Sequence, residues 1–218
     1  MRFWIFGDSF STRITGPYLE YEPDAKIFSQ LLGEKYDCEV LYASGGGADN
    51  YTIIDGFIEV LEKIKEDDVL IFGWSEITRF RLPTKEGHFR SINAVNYTLF
   101  EKEYQIPNIS NKTYYELFYT RAHKVYHDEL SKFIKLINYT FRNNIIIHWS
   151  WVDYEHPVNL TIKYFDWESI FDHTNRKVYD FHYSVNSHRI LFEKMCHYID
   201  NVDVSYKFKN KNELTDII

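Results

Sequence analysis

Large apolar residues in this chain fall into short unbroken runs, and between the runs they recur at three- and four-residue steps. Runs of four to eight apolar residues bounded by small polar ones read as strands, and runs apolar throughout suit strands covered on both faces. Four such runs are present: Arg2 to Phe6, Cys38 to Ser44, Asp68 to Ser75 and Asn144 to Trp151. A weaker one lies near Lys163 to Asp166.

The stepped segments predict helices. Asp24 stands where it would cap a helix carrying Ile27, Phe28, Leu31 and Leu32 on one stripe, with Gly33 at its stop. Ile53, Ile54, Phe57, Ile58, Leu61 and Ile64 mark a second helix with one buried face. A long helix is expected from about Tyr114 to Thr140, on Leu130, Phe133, Ile134 and Ile137, and a closing helix turns Leu191, Met195 and Ile199 inward. Strands alternating with helices predict an α/β fold, a three-layer α/β/α sandwich around a central parallel sheet of about five strands. Residues 1–218 read as a single domain. Arg81 to Thr113 breaks the rhythm and exceeds the roughly 12 to 15 residues of an ordinary connection. It is either a lid or binding insertion, or an ordered excursion with a short hairpin of its own.

Composition narrows the class. With 44% hydrophobic and 26% charged residues, 218 residues can build a substantial core, and nothing suggests disorder. A net charge of −7 argues against nucleic acid as the main partner, since phosphate contacts need a basic face. The opening MRFWIFGDS is too short an apolar run for a signal peptide, and no segment reaches the roughly 20 apolar residues of a spanning helix. The expectation is no membrane insertion and a cytoplasmic location by default. Cys38 and Cys196 match no metal spacing and read as two buried thiols in a reducing compartment. The 17 Phe and 18 Tyr supply core packing first, and enough aromatic surface remains for a sugar-binding groove.

Candidate chemistry follows from where the strands end. In open α/β sheets ligands sit beyond the carboxyl ends of the strands. Three successive runs here end in small residues on that one edge: Gly7-Asp8-Ser9, Ser44-Gly45-Gly46-Gly47 and Gly73-Trp74-Ser75-Glu76. Asp180-Phe181-His182 precedes the last helix and would reach the same edge. Acyl transfer needs a hydroxyl nucleophile, an imidazole base, a carboxylate to orient it and N–H donors aimed at the oxyanion. This edge supplies all four.

The combination resembles the SGNH hydrolases, or GDSL-type esterases, and the resemblance runs from the first strand to the last helix. "FGDSFS" resembles their first block, "LYASGGGADN" the second, "DVLIFGWSE" stands in the place of the third and "YDFHYSVNSH" resembles the last. The resemblance implies a flavodoxin-like SGNH fold and a serine esterase with Ser9 as nucleophile, His182 as base and Asp180 as its partner. Its oxyanion hole would be formed by Ser9, Gly46 and Ser75, with no cofactor and no metal, and a helix starting beside Ser9 would add a favourable dipole end. Small-acyl esters, most of all O-acetyl groups on carbohydrate, are the implied substrates; lipid esters and thioesters stay open. Two departures stand out. The family's third block carries an asparagine where this chain has Ser75, and its last block has two residues between aspartate and histidine where this chain has one. A lost oxyanion donor costs on the order of 10² to 10³ in rate. A catalytically weak or inactive glycan-binding module on the same fold is therefore the competing reading.

Other groups carry alternatives. Asp8, Asn50, Trp74 and Arg79 are candidate substrate contacts, Asn50 also as a replacement oxyanion donor. Arg79 and Arg81 equally suit a surface ion pair. His188 is the rival base, its other role being packing within the last helix. His123 and His127 have a zinc-chelating spacing but lack the metalloprotease glutamate, which favours a solvated or half-buried helix face. Gly45 to Gly47 would cradle a phosphate at the next helix, but no dinucleotide fingerprint or P-loop lysine accompanies it.

Overall fold

The computed structural model describes residues 1–12, 24–77, 79–83, 89–92, 123–152, 154, 158–164 and 185–202. Five strands form an all-parallel sheet: β1 (Phe3–Gly7), β2 (Val40–Tyr42), β3 (Val69–Trp74), β6 (Ile145–Ser150) and β7 (Ile162–Lys163). Their order is β2-β1-β3-β6-β7. The helices are α1 (Ser9–Thr12), α2 (Phe28–Tyr36), α3 (Asn50–Val60), α4 (His123–Thr140) and α5 (Val185–Asn201). The chain is thus of the α/β class.

Alternation along the strands divides the apolar residues between two cores. Phe3 and Ile5 of β1, with Val69 and Ile71 of β3, face Phe28 and Leu32 of α2 and Leu191 and Met195 of α5. Trp4 and Phe6, with Leu70, Phe72 and Trp74, face Ile53, Ile54 and Phe57 of α3 and Leu130, Ile134 and Ile137 of α4. Every residue of β1 and β3 is buried, which explains why neither strand shows a polar alternate. Burying side chains of this size stabilises by roughly 1.5–3 kcal/mol each.

At the amino ends of the strands Asp68 is the organising charge. Its carboxylate accepts from Arg2 Nη2 at 2.6 Å, Arg2 Nε at 3.1 Å, Trp4 Nε1 at 3.0 Å and the Lys65 amide at 2.9 Å. Burial alone would push its pKa up; the Arg2, Lys65 and Trp4 hydrogen bonds outweigh it and hold the pKa at about 2.

Several expectations need correction. Asp24 does not cap α2; the helix starts at Phe28, and Gln30 Oε1 accepts from the Ile27 amide at 3.0 Å instead. Nor does Gly33 stop it. The helix runs on to Tyr36 and ends at Asp37 in the left-handed region, while Gly33 lies where a Cβ would meet Val40 Cγ2 at 2.8 Å. Glycine is there for close approach to β2, not for termination. Cys196 is buried, but Cys38 is only partly so; both are free thiols. Within the 81–113 excursion, β4 (Phe80–Pro83) and β5 (Phe89–Ile92) pair antiparallel, so its described part is a two-stranded ribbon. Residues 84–88 and 93–113 lie outside the described residues. Among the described residues no helix is long and apolar enough to cross a membrane.

Candidate functional site

The strand order reverses direction between β1 and β3, and there the carboxyl ends leave a crevice. Ser9 opens α1 directly beyond β1 and is half-buried. The turn that carries it is fixed from below: the Phe10 amide donates to Asp8 Oδ1 at 3.1 Å and the Ser11 amide to the Asp8 carbonyl at 3.0 Å. Ser11 then packs onto the sheet where Gly7 and Gly73 are paired. A Cβ on Gly7 would lie 2.1 Å from Ser11 Oγ, and one on Gly73 would lie 2.3 Å from it. The glycines at these two strand ends let the chain fold back tightly enough to present Ser9.

The second loop joins it. Ser44 Oγ donates to the Gly7 carbonyl at 2.8 Å and accepts from the Gly7 amide, continuing the β1–β2 pairing past the last ladder bond. A Cβ on Gly46 would lie 3.7 Å from Ser9 Cβ, so the structure brings Ser9 and Gly46 side by side. Gly47 turns with φ +79°, and Asp49 caps α3 by accepting from the Thr52 amide at 2.8 Å. With a carboxylate already on that helix end, a phosphate cradle there would set two anions against each other.

Asp8 is wholly buried and gathers the edge together. Its Oδ2 accepts from Trp151 Nε1, just past β6, at 2.8 Å, and from Arg79 Nη1 at 3.5 Å. Burial pushes its carboxyl above the ordinary carboxylate range; Arg79, Trp151 and the Phe10 amide oppose the shift without cancelling it. Arg79, whose side chain is 12% exposed, is therefore not half of a surface ion pair. The side chain of Arg81 lies outside the described residues.

Asn50 is committed elsewhere than to an oxyanion. Its Oδ1 accepts from the Ser75 amide at 2.8 Å, and its Nδ2 donates to the Ser75 carbonyl at 3.1 Å. Tyr154 donates to the same carbonyl at 2.7 Å, and burial raises its phenol pKa. The Ser75 hydroxyl is buried and makes no hydrogen bond of ordinary geometry among the described residues, yet it lies near enough to Asp8 to favour the charged carboxylate. Trp74 is core: fully buried, stacked on Phe72, and donating from Nε1 to His148 Nδ1 at 3.2 Å. It has no surface to offer a ligand.

Asp180 and His182 lie outside the described residues. The helix that follows them begins at Val185. His188, in its first turns, is buried with its ring stacked on Phe28, 6.1 Å between centroids, within the packing of α2 against α5. Ser29, next to Phe28, donates to the Ser11 carbonyl at 3.5 Å, which links this end of α5 through α2 to the Ser9 turn. His127 is buried edge-on against Tyr154 rather than lying on a solvated or half-buried face, and the side chain of His123 lies outside the described residues. Among the described residues no cluster of three metal-ligating side chains exists.

Trp151 and Tyr154 were not expected at this edge. The strand-end rule that selected the first three turns, applied equally to the end of β6, points to both. A narrow groove beside Asn50, lined by Tyr51, Arg79, Tyr126 and Glu129, opens between α3 and α4; Tyr51 donates to Glu129 Oε2 across it. Compared with protein-family models, curated proteins and solved structures, the chain matches none.

Proposed function

We propose that the chain is a serine ester hydrolase of the SGNH kind, built as a three-layer sandwich. Ser9 would attack the ester carbonyl after giving its proton to His182, and Asp180 would hold the imidazole and stabilise its charge. The N–H groups of Ser9 and Gly46 would receive the oxyanion, and water would release the acyl group. The observation that carries the reading is the adjacency of Ser9 and Gly46 at the point where the strand order reverses. A nucleophile and a glycine whose amide is not screened by a side chain are what a tetrahedral intermediate requires on its two sides. In the sequence His182 stands three residues before Val185, the first residue of α5. His188 of that helix stacks on Phe28 of α2, whose neighbour Ser29 donates to the Ser11 carbonyl.

The helix-dipole contribution is small, because α1 is a single turn. O-acetylated carbohydrate is the favoured substrate class; the half-buried tyrosines and the carboxylate of the groove beside Asn50 suit a polyhydroxylated body. One observation favours the competing reading, a weakly active or inactive glycan-binding module. Ser75 stands in place of an amide donor, and the nearby Asn50 amide is bonded to the Ser75 peptide. Hydrolysis of p-nitrophenyl acetate by wild type and Ser9→Ala, with fluorophosphonate labelling of both, separates the two. Loss of hydrolysis and of labelling in Ser9→Ala is expected. Equal rates and no labelling of wild type would leave the binding module.

A further inference from the structure

We infer that Arg79 is a positioning residue, a clamp that ties the turn presenting Ser9 to the glycine loop presenting Gly46. The inference rests on the ester-hydrolase reading for its kinetic consequence, but its geometry stands apart from it. Arg79 Nη1 donates to two acceptors, Asp8 Oδ2 at 3.5 Å and the Ala48 carbonyl at 3.3 Å. Asp8 immediately precedes Ser9, and Ala48 is two residues beyond Gly46. One guanidinium nitrogen therefore spans the two loops whose separation sets the width of an oxyanion site.

Three further features give the clamp its stiffness. Asp8 is fully buried, so its carboxylate has little water to fall back on when Arg79 is removed. Two neutral donors hold Asp8 from different elements: Trp151, just after β6, on Oδ2, and the Phe10 amide, in α1, on Oδ1. Ala48 is itself buried, and its amide donates back to the Gly45 carbonyl at 3.2 Å, closing the glycine turn. The two N–H bonds of Nη1, held in the plane of the guanidinium, serve one acceptor each. An ammonium in its place is a point charge on a flexible stem.

Arg79 also lines the groove beside Asn50, so direct binding of a substrate anion is the rival role. The two predict different kinetics. A positioning group acts on the chemical step, whereas a group that merely binds substrate acts on KM.

The test is steady-state hydrolysis of p-nitrophenyl acetate by the full chain as wild type, Ser9→Ala, Arg79→Met and Arg79→Lys. Amide hydrogen exchange is measured on the same proteins. For Arg79→Met, kcat is expected to fall by about 10²-fold, the loss a misplacement near 1 Å produces. KM is expected to hold, exchange at Phe10 and Ala48 to quicken by about tenfold as the two loops open locally, and Arg79→Lys to recover part of kcat. A fall carried by KM would make Arg79 a substrate-binding group and overturn the inference. Unchanged exchange at both amides would overturn it whatever the kinetics. Where Arg79→Met does not fold, Arg79→Lys decides: an intermediate kcat with faster Ala48 exchange supports the clamp, and wild-type values for both refute it. Should wild type and Ser9→Ala hydrolyse at one rate, the esterase reading fails by itself, and the exchange comparison still decides the clamp.

Discussion

The side-chain amide of Asn50 grips the peptide of Ser75 from both ends, accepting from its N–H at 2.8 Å and donating to its C=O at 3.1 Å. Asn50 is the first residue of α3 and Ser75 the first beyond β3, so this pair fixes the glycine loop's helix against the central strand. It explains why the chain has an asparagine at this edge that is not directed at a ligand.

Asn50→Ala leaves the Ser75 amide, a partly buried donor, without that acceptor. A loss of about 1–3 kcal/mol is expected in urea unfolding. Tyr154→Phe should cost less, about 1 kcal/mol, because Asn50 still donates to the shared carbonyl. Asn50→Asp should be the worst of the three at neutral pH, since its carboxylate would face the Ser75 carbonyl that now receives an N–H.

The glycine loop separates conformation from contact. Gly47→Ala places a side chain at φ +79° and should destabilise by about 1 kcal/mol. Among the described residues Gly46→Ala meets only Ser9 Cβ, at an ordinary 3.7 Å, and should leave the thermal midpoint near wild type. On the proposed reading Gly46→Val nevertheless lowers ester hydrolysis, because the added branches stand over Ser9. Thermal unfolding and p-nitrophenyl acetate assays on the three variants check the contrast.

Gly7→Ala would drive a methyl into Ser11, whose Oγ and Cβ lie at 2.1 and 2.6 Å from the new atom. Overpacking of this kind costs about 1–3 kcal/mol. Ser11→Gly in the same chain should return much of that loss, since it removes the two shortest contacts and leaves the Gly73 carbonyl at 3.2 Å. A double-mutant cycle in urea measures the return; no coupling would mean that the turn over the strand ends is not packed as described.

Asp68 gives the stability a pH signature. Its folded pKa is about 2 against an ordinary 3.8, so the folded form binds the proton less readily than the unfolded chain. The resulting stabilisation, about 2 kcal/mol, is fully present above the unfolded value and is lost as pH falls from there through about 2. Urea midpoints measured from pH 6 to pH 2 should show this decline in wild type and a shallower one in Asp68→Asn. Asp8, whose pKa burial raises, acts oppositely: its contribution is greatest at low pH and falls as pH rises through its folded value.

Strands were the most legible part of the sequence, because a buried parallel strand must be apolar on both faces and few other segments are. Val69–Trp74 and Ile145–Ser150 lie within the runs that announced them. Helix ends were read less well. Asp24 is a good capping residue by type, but a glutamine inside the helix supplied the contact. The edge that gathers Asp8, Ser9 and Gly46 was legible from small residues after three strands. Its internal wiring was not: Arg79 and Asp8 are 71 residues apart, Trp151 and Asp8 are 143 apart, and nothing local to either partner marks the pairing. His127 reads from the sequence as part of a solvated or half-buried helix face, because its spacing says nothing of Tyr154, which packs on it from beyond β6.

Lys35 and Tyr36, at the end of α2, both donate to Asp200 in the final described helix. The layer over Phe3 and Ile5 is thus completed by a segment made some 165 residues later. Until α5 is in place, the face formed by Phe3 and Ile5 of β1 with Val69 and Ile71 of β3 is covered by α2 alone, and contacts of this sequence separation are slow to form. Truncation within α5 would expose that apolar face and yield aggregates rather than a shorter folded protein.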